Sequence, residues 1–214
     1  MKKIQNSLFL FLLISSLSVF SQENDFQSWY SFSVKKKVIK KTDFMLKLGV
    51  RFRENSSIRY KQFCDVRFKR KLTKRFSFST GFRYADNWNK EKKISNNYRF
   101  YTDLSYNNRI IKRLDYSIRN RWQAQGDFYQ YKMTLRQKYS LSYNIRKTKL
   151  EPAIATECFL DLDNGLNKLR STFALSYPIT KKLDISCAYR MEHEFYVNNP
   201  ENLYILEGKI LYNL

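Results

Sequence analysis

The chain has 214 residues, 40 Lys+Arg against 19 Asp+Glu for a formal net charge of +21, 17% aromatic residues, 5 Gly and 3 Pro. That length suits one domain or one barrel; 43% hydrophobic residues argue against a disordered basic tail, and the low Gly and Pro exclude collagen-like and low-complexity classes. A mean hydropathy of −0.59 excludes a polytopic helical membrane protein, because each helical span needs about 20 mostly apolar residues.

The chain opens with Lys2 and Lys3, then the apolar run Leu8 to Ile14, then small residues ending at Ser21 before Gln22. A basic start, a short apolar stretch and a small residue at the cut describe a secretory signal peptide over residues 1–21, leaving 22–214 as the exported domain. The run is short for a membrane anchor, and no Cys follows it to carry a lipid. Cys64, Cys158 and Cys187 are an odd number for an exported chain, and their spacings match no metal motif.

Beyond the leader, apolar and polar residues alternate with the period of a half-exposed strand. Segments of this kind start near Phe26, Phe44, Tyr60, Phe76, Tyr98, Leu114, Tyr131, Leu150, Leu169, Leu183 and Tyr204. In the clearest, Phe44, Leu46, Leu48, Val50 and Phe52 alternate with Met45, Lys47, Gly49, Arg51 and Arg53. Short basic turns are expected at Lys35–Lys37, Lys71–Arg75, Ile111–Arg113, Arg146–Lys149 and Thr180–Lys182, and longer polar loops over Asp86–Asn97, Gln125–Gln130, Asp161–Asn167 and Val197–Asn202. Short turns on one side and longer loops on the other describe an outer-membrane barrel.

The strands running into the basic turns end their apolar face at Val34, Phe68, Tyr106, Tyr143, Tyr177 and Tyr212, a recurrence of one hairpin each. Tyr at one depth fits an interfacial girdle, where the ring sits in lipid and the hydroxyl in water. Within these segments the apolar face contains no Asp, Glu, Lys or Arg, whereas the opposite face holds many. A lipid-facing charge costs about 2–4 kcal/mol at the bilayer midplane, and a lumenal one is wet or paired. All three cysteines fall on the apolar face, where each packs as a small hydrophobe. A secreted soluble β-sandwich is the alternative, but its strands run to only about 5–6 residues. Bacterial single-chain barrels normally have even strand numbers. Eleven segments therefore mean that one lies outside the wall, that a loop hides another, or that a parallel pair closes the barrel; 10–12 strands are expected.

The candidate site is a lumenal charge cluster. Arg51, Arg53, Arg67, Arg119, Arg121 and Arg136 lie on earlier strands, Glu151, Glu157, Glu192, Glu194, Glu207 and Arg190 on later ones, and a barrel of this size is narrow enough for the two groups to meet across the lumen. They either fill the bore as paired side chains, in a structural or binding protein of the envelope, or form a narrow pore or pocket for a small anionic solute, since the basic excess focuses a positive potential; neither reading is an enzyme. The lone His193, flanked by Glu192 and Glu194, carries the alternative of a lipid or peptide hydrolase at the rim. Position 195 is Phe, so the local pattern of barrel lipases is missing. No cofactor motif is present, and basic residues spread over every strand do not form a nucleic-acid footprint.

The segment Asp25-Phe26-Gln27-Ser28-Trp29-Tyr30-Ser31-Phe32-Ser33-Val34 and the unit from Arg70 to Tyr84 resemble the domain of unknown function 2490 family, exported proteins of Gram-negative bacteria. The resemblance implies an outer-membrane β-barrel and supplies no activity or ligand. The end, Ile210-Leu211-Tyr212-Asn213-Leu214, resembles the C-terminal signal read by barrel assembly machinery, with Leu214 where many clients carry Phe. The expectation is an all-β, antiparallel up-and-down transmembrane β-barrel of the outer membrane, in contact with lipid and lipopolysaccharide. Its basic turns would lie beside anionic headgroups.

Overall fold

A computed structural model describes residues 24–89, 93–163, 165–196 and 200–214. The leader expected over 1–21 lies outside the described residues. Eleven strands follow one another: β1 (Asn24–Ile39), β2 (Thr42–Arg53), β3 (Ile58–Lys71), β4 (Phe76–Trp88), β5 (Ile94–Ile111), β6 (Leu114–Gly126), β7 (Tyr131–Tyr143), β8 (Glu151–Asp161), β9 (Gly165–Pro178), β10 (Leu183–Glu194) and β11 (Asn202–Asn213). They form one closed barrel in which every consecutive pair is antiparallel.

Each hairpin reverses the chain, so an odd number of strands leaves the first and last running the same way. Closure therefore takes a parallel pair, β1 with β11, in register from Asn24↔Asn202 to Lys35↔Asn213. The segment beginning at Phe26 is part of the wall.

Two expected connections are strand instead. Lys35–Lys37 lies inside β1, and the turn falls at Lys40–Lys41, with Lys41 at φ 66°. The polar stretch from Asp86 extends the β4–β5 ladder through Asp86↔Asn96, Asn87↔Ser95 and Trp88↔Ile94, because polar side chains are no obstacle where a wall rises into water. The expected contrast of short turns with long loops is absent: connections run from two to seven residues at one rim and three to seven at the other. Charge sorts them instead. The turns at residues 40–41, 72–75, 112–113, 144–150 and 179–182 carry eleven Lys and Arg and no Asp or Glu. The other rim mixes Glu54, Asp127 and Asp163 with Lys93. There the 127–130 turn is pinned by Asp127, whose carboxylate accepts the N–H groups of Gln130 and Tyr129, both at 2.8 Å. Those bonds hold it below the usual carboxylate range.

Burial is inverted relative to a soluble protein. Phe100 on the outer face is 54% exposed, and Phe32, Leu48, Trp122 and Ile154 are comparably open, while Asp103 and Glu157 inside are 1% and 3% exposed. The longer strands add charged residues to the outer face only near its ends, Lys36 and Arg70 at the basic rim and Arg59 and Asp86 at the other. Asp86 accepts a hydrogen bond from Gln62 Nε2 at 2.8 Å. Inside the basic turns a girdle forms, with ring centroids 5.1 Å apart for Phe44–Phe68, 4.9 Å for Phe76–Tyr106 and 5.8 Å for Tyr106–Tyr116. Cys64, Cys158 and Cys187 are free and on the outer face.

Two glycines make room for inward aromatic rings. A Cβ at Gly49 would lie 2.3 Å from the Phe63 ring, and one at Gly81 would lie 2.4 Å from Tyr101 and 2.8 Å from the Val66 carbonyl oxygen. Tyr101 lies flat over Gly81, donates its hydroxyl to Asp65 at 2.8 Å, and carries the Arg121 guanidinium 3.9 Å above its ring. Gly81→Ala is expected to displace that ring and cost roughly 1–3 kcal/mol as an overpacked site. The check is the guanidinium midpoint of the folded barrel; an unchanged midpoint would mean that the ring has somewhere else to go.

Candidate functional site: the charged lumen

Inward side chains enclose a cavity of about 1290 Å³, lined from Tyr60, Lys132 and Asn167 toward one rim to Asn144, Thr148 and Pro178 toward the basic rim. Alternation puts every second residue here. Toward the basic rim these are largely small, including Ser117, Ser140, Ser142, Ala153, Ala155, Ala174 and Ala188. Trp29, Leu203 and Ile205 form a buried apolar knot at the seam, facing the lumen.

The centre of the polar network is Glu157. Its Oε1 accepts Arg119 at 2.6 Å and Arg136 at 2.8 Å, and its Oε2 accepts Arg170 at 3.3 Å. Arg170 continues to Glu192 at 2.6 Å, and Lys168 bridges Glu192 at 3.1 Å and Glu194 at 2.9 Å. Arg136 and Arg170 also lie 4.3 Å and 4.8 Å from the Phe159 ring. Arg121 grips Asp103 through two bonds, of 2.6 and 2.8 Å. Arg190 Nε donates to Glu207 at 2.8 Å, and Lys209 is 2.9 Å from the same oxygen. These bidentate and charge-assisted contacts are the strong class of hydrogen bond.

The expected residues are therefore inside, and most of them pair along the wall; of the earlier group Arg51 acts on Glu192 of the later one. Arg119, Arg136 and Glu157 come together along one wall, as do Arg190 with Glu207, and Glu192 and Glu194 with Lys168. Cross-strand neighbours are about 5 Å apart, which is nearer than the far wall. Four expected members stand apart from the network. Arg51 stacks on Trp29. Arg53 is at the rim, 3.7 Å from Glu54 and over Tyr60; Arg67 contacts Met45; and Glu151 is exposed at the basic end of β8. Asp65, Asp103, Lys168 and Arg170 join the expected residues, and all four sit on inward positions of the same alternation.

The two halves of the wall differ in charge. Cavity-lining residues of β6–β11 include nine cations and six carboxylates. On β2–β5 they include Lys47, Arg51, Lys61, Arg67, Arg83 and Arg99 with Asp65 as the single carboxylate. Asp65 is taken by Arg83 at 2.8 Å. Arg51 stacks on Trp29 with its guanidinium carbon 3.6 Å from the ring centroid, and Arg99 Nε donates to Gln125 at 2.7 Å, a neutral acceptor.

His193 is on the outer face. Its Nδ1 is bonded to Asn202 and its ring meets Phe195 edge-on at 4.5 Å. The flanking Glu192 and Glu194 point to the other side of the wall and are held by Arg170 and Lys168. The acidic partner that a hydrolase reading needs is thus on the wrong face. Among the described residues no three His, Cys, Asp or Glu side chains gather as a metal site.

A closed sheet with an apolar outside, an aromatic girdle and a hydrogen-bonded ionic interior is a transmembrane β-barrel. The chain belongs to the DUF2490 family of proteins of unknown function, whose model matches residues 26–203. Among solved structures it is similar to the NanC porin, at 15% identity over 78% of this chain and 86% of that one, with a TM-score of 0.49. No curated protein matches it.

Proposed function

We propose that the chain is an outer-membrane barrel, not an enzyme, whose lumen admits small anions in preference to cations. The observation that supports this most is the β2–β5 wall, where six cations line the cavity with one carboxylate among them. Low-dielectric walls focus the field of such an arc into the bore and raise the local concentration of counter-ions, and Arg and Lys linings recur in anion pores. The all-basic rim, beside the C-terminal end of β11, faces the periplasm, where anionic phospholipid headgroups meet its lysines. The other rim faces lipopolysaccharide, and assembly machinery delivers the barrel to this membrane.

The test is the reversal potential of the refolded barrel in a planar bilayer under a potassium chloride gradient. A sign reporting chloride preference is expected. A potassium preference, or no conductance, would overturn the reading.

A further inference from the structure

The corner where β2, β3 and β5 reach the rim opposite the basic turns holds a cation with no counter-charge among the described residues. Lys61 is 9% exposed, lines the cavity, and has no carboxylate partner among the described residues. It pairs across the sheet with Arg51 on one side and Asn87 on the other. The neighbouring cations are committed elsewhere or to rings: Arg83 to Asp65, and Arg99 to Gln125. Arg51 lies over Trp29, and its donors make no hydrogen bond to another residue described here. The Phe63 ring stands between Arg51 and Arg83, at 5.5 Å and 4.1 Å, and keeps the two guanidinium groups apart without neutralising either.

A buried ammonium is costly unless it is paired and hydrogen-bonded. Among the described residues the charged side chains acting on Lys61 are the cations Arg51, Arg83 and Arg99, while Glu192 acts on Arg51 alone of these four. The chemistry that completes such a corner is an oxyanion, which accepts from the ammonium and from a guanidinium at once. We propose that Lys61 and Arg51, with Arg99 beside them, form a binding site for one small oxyanion, a carboxylate or a phosphate. The site rests on the anion-preferring reading of the lumen and gives it an entry station. Its three residues are half of the cationic arc, so the two readings are separated by what is measured: binding that depends on Lys61 against ion selectivity.

Calorimetric titration of the folded barrel in detergent with inorganic phosphate, and separately with acetate, tests the site and distinguishes the two sources. One-to-one binding of at least one of them is expected. Lys61→Met is expected to weaken it by roughly tenfold or more, Lys61→Arg to retain it, and Lys112→Met in a turn at the basic rim to leave it unchanged. Heat-dependent gel mobility establishes that each variant is folded. No binding of either anion, equal binding by Lys61→Met, or equal weakening by Lys112→Met overturns the proposal. Lys61-dependent binding in a potassium-preferring barrel would sink the channel reading alone. Chloride preference without Lys61-dependent binding would sink the site alone.

Discussion

Replacing Glu157 by Gln is expected to lower the unfolding free energy by about 3–5 kcal/mol, the usual cost of removing one partner from a buried ion pair. Glu157 is 3% exposed and accepts three guanidinium groups. An amide supplies one oxygen and no charge, so Arg119, Arg136 and Arg170 would face one another without the carboxylate. Arg170 retains Glu192 at 2.6 Å, which limits the damage on that side, whereas the other acceptor of Arg136 among the described residues is Gln123 at 3.2 Å. The check is the guanidinium midpoint of the folded barrel. A loss below about 1 kcal/mol would mean that the lumen is wet enough to screen the three arginines.

The second large effect belongs to the outer face. Phe173 is an outward residue of β9, flanked across the sheet by Ile154 and Tyr189. Phe173→Arg is expected to cost about 2–4 kcal/mol, the price of a cation at the bilayer midplane. Its neighbour Ala174 points inward between Ala153 and Ala188, and Ala174→Arg there is expected to stay within about 1 kcal/mol. Tyr177→Arg, at the girdle, is expected to cost about 0–1 kcal/mol. Refolding titrations into lipid vesicles measure all three. Dependence on depth is the signature of a bilayer; equal losses at Phe173 and Tyr177 would indicate a protein core instead.

The strands and their faces were legible because alternation is local. Phe44 to Phe52 shows which residues face out without reference to any other strand, and the absence of charge on that face reports its solvent. The seam was not legible. Whether β1 pairs with β11 or stands aside depends on closure of the whole sheet, and the alternation of Phe26, Tyr30 and Phe32 is compatible with both. The ends of β4 and β5 are illegible in the sequence for a different reason: Asp86, Asn87, Asn96 and Asn97 have a loop's composition, yet they occupy a ladder that stands above the lipid. Ion-pair partners also depend on register. Glu157 meets Arg136 because Lys138 is its direct cross-strand neighbour and Arg136 lies on the diagonal, a relation fixed by the turn at 144–150. Lys61 carried no mark of its own; its isolation appears only once Asp65 is seen to belong to Arg83.

The most direct measurement is fractionation of membranes from expressing cells, with gel mobility compared before and after boiling. Recovery with the outer membrane and a band that shifts on boiling is the expected result, as it reports a closed, detergent-resistant sheet in lipid. Recovery in a soluble fraction with one unchanging band would contradict it, and the uncharged face would then have to be the core of a sandwich.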